Sequence, residues 1–95
     1  MLFRSEVVGT LRIINKPEHT KIGRVAVHRH WRGKGVARAM MESAMGFARA
    51  AGQPNFYLTA QSDKLAVYEK LGFVAFGDEF QDAGIAHRAM RNYDL

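Results

Sequence analysis

The spacing of apolar residues changes several times along the chain, and each change marks an element. Val7-Val8-Gly9-Thr10-Leu11-Arg12-Ile13-Ile14 is rich in β-branched residues with partial alternation, which predicts a strand. Met1 to Ser5 reads as the remnant of a strand before it. Asn15-Lys16-Pro17-Glu18-His19 is a turn, because proline cannot donate to a β-ladder. Ile22 to His28 is the next strand. From Gly33 to Ala51 the period lengthens: Val36, Met40, Ala44, Phe47 and Ala51 recur at helical spacing, with Ala37, Met41 and Ala48 widening the stripe. Gly52 and Pro54 stop that helix.

Beyond the helix, Phe56 to Ala60 predicts a short buried strand. Ser62 or Asp63 can cap a second helix from Lys64 to Leu71, which Gly72 ends. Phe73 to Phe76 and Ala86 to Arg91 read as a closing strand pair, with Asp82-Ala83-Gly84 as the turn residues between them. The order is β(β)βαβαββ. Strands on both sides of the first helix imply an α/β fold with a mixed sheet covered by helices.

Composition narrows this picture. The 95 residues make one domain, with 47% hydrophobic and 24% charged residues, an ordinary globular balance. No apolar run approaches the ~18 residues of a membrane span, and the interrupted opening is no signal peptide. With no cysteine, thiol nucleophiles and disulfides are excluded, and a reducing cytoplasm is the expected location. His19, His28 and His30 stand at no metal-ligand spacing with carboxylates, so no metal is expected. The formal charge of +5 favours phosphate-bearing ligands.

Much of that charge is local. Arg29, Arg32, Lys34 and Arg38, with His28 and His30, flank Arg32-Gly33-Lys34-Gly35-Val36-Ala37, where a strand gives way to the long helix. A helix N-terminus carries unpaired N–H groups and partial positive charge, and glycines let an anion approach them closely. A P-loop does not fit, because His28 and Gly35 stand where it needs glycine and Ser/Thr. A dinucleotide fingerprint fails at Arg38. What remains is R-x-x-G-x-A over Arg32, Gly35 and Ala37.

That pattern resembles the acetyl-CoA loop of the GNAT acetyltransferase superfamily. A second segment, Tyr68-Glu69-Lys70-Leu71-Gly72-Phe73, resembles the family's Y-E-K-L-G-F signature, in the correct order after the loop. A narrower resemblance, to the ElaA branch, lies in Thr20 to Val27, in Ala60-Gln61, and in Glu79-Phe80 through Gly84-Ile85 to His87 and Met90. Val67, Ala83 and Ala86 depart from it, where an aromatic, an acid and a proline are usual.

The resemblance implies a GNAT-like, mostly antiparallel mixed sheet with two helices, shortened at its N-terminus by a strand and two helices. It implies transfer of acetyl from acetyl-CoA to a primary amine of a small molecule or peptide by direct attack. Arg32, Gly33, Lys34, Gly35, Val36, Ala37 and Arg38 would hold the CoA pyrophosphate. Val25, Ala26 and Val27 would pair their backbone with pantetheine. Tyr68 would be the general acid for the departing thiolate, Glu79 and His87 the groups that take the amine proton, and Gln61 an acceptor ligand. Trp31 is expected to pack on the helix base. An uncovered sheet face favours a homodimer. The alternative is a non-catalytic CoA-binding module or an oligomeric remnant. A nucleic-acid binder is disfavoured, since no helix-turn-helix or stacking signature accompanies the basic loop.

Overall fold

The computed structural model describes residues 2–3 and 6–93. Strands β1 (Leu2–Phe3) and β2 (Glu6–Val7) pair as a small antiparallel ribbon. The strand remnant expected over Met1 to Ser5 is therefore real at Leu2–Phe3, and its other residues lie outside the described ones. A five-stranded sheet comes next, built from β3 (Gly9–Asn15), β4 (Thr20–Val27), β5 (Phe56–Gln61), β6 (Val74–Asp82) and β7 (Ile85–Arg91). Its spatial order is β3-β4-β5-β7-β6. Only β4 and β5 run parallel. Helix α1 (Val36–Ala50) makes the crossover between them, as a parallel pair requires.

The expected strand from Val7 to Ile14 divides at Val8, which turns into the core at 2% exposure. Gly9 then sits so close to α1 that a Cβ would meet the Met40 thioether at 2.9 Å. The second helix is shorter than Lys64–Leu71: a 3₁₀ turn over Ser62–Lys64 precedes α2 (Leu65–Glu69). β6 is longer than its apolar start, because its polar half continues to the hairpin. There Ala83 and Gly84, at φ 51° and 76°, form the two-residue turn between Asp82 and Ile85.

Both helices contribute to one cluster of buried side chains. Met41, Met45 and Ala48 of α1 meet Ile22, Phe56, Leu58, Phe73 and Met90, and Leu65 and Tyr68 of α2 pack against them. Val36, Met40, Met41 and Ala48 of the expected α1 stripe are buried, and the departure lies at two positions. Phe47 lies 80% exposed, while Met45 takes the inward position between Met41 and Ala48. At the start of the helix Met40 and Val36 dock on Val8 as the stripe implies.

The opposite sheet face carries polar and aromatic residues in cross-strand rows. Lys21, Tyr57, Arg91 and Val74 form one row by register. The Arg91 guanidinium sits 4.2 Å from the Phe76 ring centre. Farther along the same β6–β7 pair Phe80 stacks on His87, at 5.9 Å between ring centres.

Two irregularities open the middle of the sheet. β4 and β5 pair over only three residues, Thr20–Ile22 with Phe56–Leu58, and then part. The closed end is laced: Thr20 N donates to Asn55 O at 2.9 Å, and Phe56 N donates to Asn92 Oδ1 at 2.7 Å. Just past it, β4 bulges. Thr10 pairs with Ala26 and Arg12 with Gly23, so Arg24 and Val25 together oppose Leu11. Arg24 takes φ 52°, a left-handed conformation that costs a non-glycine residue on the order of 1 kcal/mol.

Candidate active site

The parted strands leave Gly23 to Val27 without a ladder partner on the β5 side. The Val27 carbonyl accepts from Arg32 Nε at 3.1 Å, which ties the loop back to its strand. Two clefts open from this fork. One, of about 530 Å³, runs from Val25, Ala26 and Val27 past Arg32, Gly33 and Gly35 to the first turn of α1. Every cofactor-side residue named from sequence lines it except Lys34, whose side chain is exposed. Trp31 packs beside the Val8–Val36–Met40 cluster, as expected, and also forms part of this wall.

The loop has the backbone features that favour an anion. Gly33 and Gly35 hold φ 76° and 77°, and Gly35 is the helix N-cap. No side chain caps the helix, and no acidic residue occupies its first turn. The first intrahelical bond runs from Ala39 N to Gly35 O at 3.0 Å, so the N–H groups before it have no helical partner. An ideal Cβ at either glycine would meet nothing within 4 Å, so glycine is required here for its conformation. Arg38 pairs with Glu42 at 2.8 Å on the exposed helix surface, an interaction worth only a few tenths of a kcal/mol and easily exchanged. Backbone donors, helix dipole and basic side chains all fit a pyrophosphate.

The second cleft, of about 210 Å³, lies within the fork itself. Leu58 and Ala60 from the core side and Thr59 and Gln61 from the other side of β5 all line it, so it opens through the sheet. His87 faces it from β7, opposite Gln61 in register. Tyr68, Gln61, Lys64 and Val25 line both clefts. Tyr68 thus stands where the two spaces meet.

The Tyr68 ring is fixed edge-on against Phe73 at 6.4 Å. Its hydroxyl has no hydrogen-bond partner among the described residues. Burial raises its pKa above the usual phenol value, so it keeps its proton at neutral pH. His87 is oriented by its own strand: Nδ1 lies 2.7 Å from Ile85 O. A carbonyl can only accept, so Nδ1 carries a hydrogen, and in the neutral tautomer this selects, Nε2 holds the lone pair. Glu79 is not brought to either cleft. It lies exposed in β6 where Gly77 to Glu79 bulge out between Phe76 and Phe80. Among the described residues, no three His, Asp or Glu side chains gather to hold a metal, and no helix is long and apolar enough to cross a membrane.

Lys64 and Arg24 line these clefts without having been given a site role in the sequence, and Val67, noted there only as a departure from the family pattern, lines the larger one. For Arg24 a signal existed. Ile22 and Val25 both pack toward the core although they are three residues apart, which a period of two forbids unless a bulge intervenes.

A helix-start cradle joined to a forked mixed sheet is the arrangement that the sequence resemblance implies, and comparison with known proteins agrees on the family. The model of the acetyltransferase (GNAT) domain matches residues 2–93. The chain belongs to the GNAT acetyltransferase family. It is 33% identical over 84 residues to the uncharacterized N-acetyltransferase YjcF of Bacillus subtilis, covering 87% of this chain and 60% of that protein. An acyl-CoA N-acyltransferase from Pseudomonas aeruginosa superposes with a TM-score of 0.86 at 28% identity, covering 97% of this chain and 64% of that one. Escherichia coli ElaA superposes at 0.85 and 26% identity with the same coverages. The chain thus spans just under two thirds of the length of these relatives.

Proposed function

We propose that this chain transfers acetyl from acetyl-CoA to a primary amine by direct attack, with Tyr68 as general acid. The observation that carries the reading is the position of Tyr68: a protonated, otherwise unpartnered phenol at the junction of the anion-cradle cleft and the fork. Similarity to an acyl-CoA N-acyltransferase supports the donor. The donor would supply an activated thioester. The chain's own residues supply the rest.

The Gly33–Ala37 backbone and its flanking cations bind the pyrophosphate end. The free edge of Val25 to Val27 orients the extended pantetheine arm by strand-like hydrogen bonds and offers an N–H to the thioester oxygen. Tyr68 gives its proton to the sulfur as the C–S bond breaks. Its raised pKa keeps that proton in place until an anion develops beside it. An alkylammonium is mostly protonated at neutral pH and must lose a proton before it can attack. His87, with Nε2 free to accept, is the base that lines the acceptor side, directly or through water. Glu79, outside both clefts, has no part in this step.

The same reading extends to assembly. Val74 (68% exposed), Ile85 and Phe80 leave an apolar strip on β6 and β7, which supports a homodimer. Sedimentation of a monomer at micromolar protein would refute that extension alone. The transfer itself is tested by titration calorimetry with acetyl-CoA and by thiol release across a panel of amines. Absence of binding at millimolar acetyl-CoA would refute the reading.

A further inference from the structure

We infer that the acceptor cleft selects an amine bearing a carboxylate close to its nitrogen, recognised by Arg24 together with Lys64. The inference rests on the acetyl-transfer reading and specifies the charge of the second substrate.

The cleft inside the fork has one sign of charge. Arg24 and Lys64 line it, with His87 opposite, and no aspartate or glutamate does. Neither cation is neutralised by the fold, since the one ion pair among the described residues is Arg38–Glu42 on the far side of the loop. A simple alkylammonium entering this space meets two like charges. A carboxylate beside the amine cancels that repulsion and offers Arg24 a planar, two-oxygen partner. The same positive surroundings lower the pKa of the bound amine and so favour the neutral nucleophile.

Arg24 itself gives the second, independent observation. It occupies the left-handed position of the β4 bulge, at φ 52°, where glycine or asparagine sits with less strain. A long cationic side chain is therefore kept at a backbone position that disfavours it, at the mouth of the acceptor cleft. Strained non-glycine residues concentrate at ligand-binding positions.

The step balances without any further reactant. The amine nitrogen forms a bond to the acetyl carbon and the C–S bond breaks. The nitrogen's proton goes to His87 or its water, and the sulfur takes the Tyr68 proton. Solvent then restores both side chains. Arg24 and Lys64 hold the carboxylate and exchange no proton.

The test compares kcat/KM, at fixed pH and corrected for amine ionisation, within two pairs of acceptors. β-Alanine against n-propylamine represents a free amino acid, and Asp-Gly-Gly against Asn-Gly-Gly represents an acidic peptide N-terminus. A preference on the order of tenfold for the carboxylate member is expected in at least one pair, and that pair identifies the source. It should narrow as salt rises from ~0.05 to ~0.5 M. Arg24→Gly, which relieves the strained φ and should melt no lower than the parent, brings the ratio close to one, and Arg24→Lys keeps most of it. Lys64→Gln lowers it in part. Turnover with ratios near one in both pairs, or an unchanged ratio in Arg24→Gly, overturns the proposal while leaving acetyl transfer intact. No transfer to any of the four acceptors overturns both.

Discussion

Replacing Gly35 with alanine isolates what the anion cradle requires. The residue caps α1 at φ 77°, and a Cβ there would meet nothing within 4 Å. Steric clash contributes nothing, so the whole effect is conformational, about 1 kcal/mol for an alanine held left-handed. That strain has two outlets. If the loop keeps its shape, Gly35→Ala lowers the melting temperature by about 4–8 °C in a domain of this size. If the loop relaxes instead, binding must restore the shape, and the Kd for CoA rises about fivefold. Gly46→Ala is the matched control. Gly46 lies exposed in the middle of α1, also with open space around its missing Cβ, so alanine there should stabilise by about 0.5–1 kcal/mol and leave CoA binding alone. Calorimetric melts and CoA titrations on the two variants suffice. If Gly35→Ala matches the parent in both stability and Kd, Gly35 does not shape an anion cradle.

Four further outcomes rest on the same geometry. Tyr68→Phe should lower kcat about a hundredfold or more while CoA affinity changes little, measured by thiol release. Because its hydroxyl has no hydrogen-bond partner among the described residues, the unfolding free energy from urea titration at pH 7 should stay within about 0.5 kcal/mol of the parent. Burial raises the folded-state pKa of Tyr68, so the protonated form favours folding. Its contribution is complete below the unfolded value near ~10 and is lost as pH climbs through the folded pKa, a loss absent from Tyr68→Phe in alkaline urea titrations. Met41→Ala, at a fully buried position, should cost about 2–5 kcal/mol, whereas Phe47→Lys on the solvent side of the same helix should cost under about 0.5 kcal/mol; denaturant titration of both checks the orientation of α1.

Much of the helix-start cradle is legible in the sequence alone. The glycines at 33 and 35, the basic residues around them and the helical period after them are local signals, and local signals survive folding. Tyr68 is legible as well, because its neighbours form a recognisable segment. The choice between Phe47 and Met45 on α1 is not: both are apolar, and only packing against the sheet buries Met45 and leaves Phe47 exposed. Likeness of sequence puts Glu79 with the acceptor site, yet Gly77 at φ 72° begins a bulge that leaves it out on the exposed strand. Arg24 and Lys64 escape notice because their place at the cleft depends on where two strands stop pairing, and pairing length is not written in the side chains of either strand alone.

The brevity of that pairing also divides the molecule mechanically. β3 and β4 form one leaf, and β5, β7 and β6 form another, hinged by three residue pairs and bridged by the side chains of α1. Each leaf has a longer ladder of its own, interrupted by one bulge, so thermal motion should concentrate in the angle between them. A donor whose amides bond to the bare edge of β4 fills the seam like an inserted strand. Its binding then reaches well beyond the cradle: amide exchange over Gly23 to Val27 should slow, and the two leaves should melt as one. In that sense the second half of the sheet's cohesion arrives with the ligand.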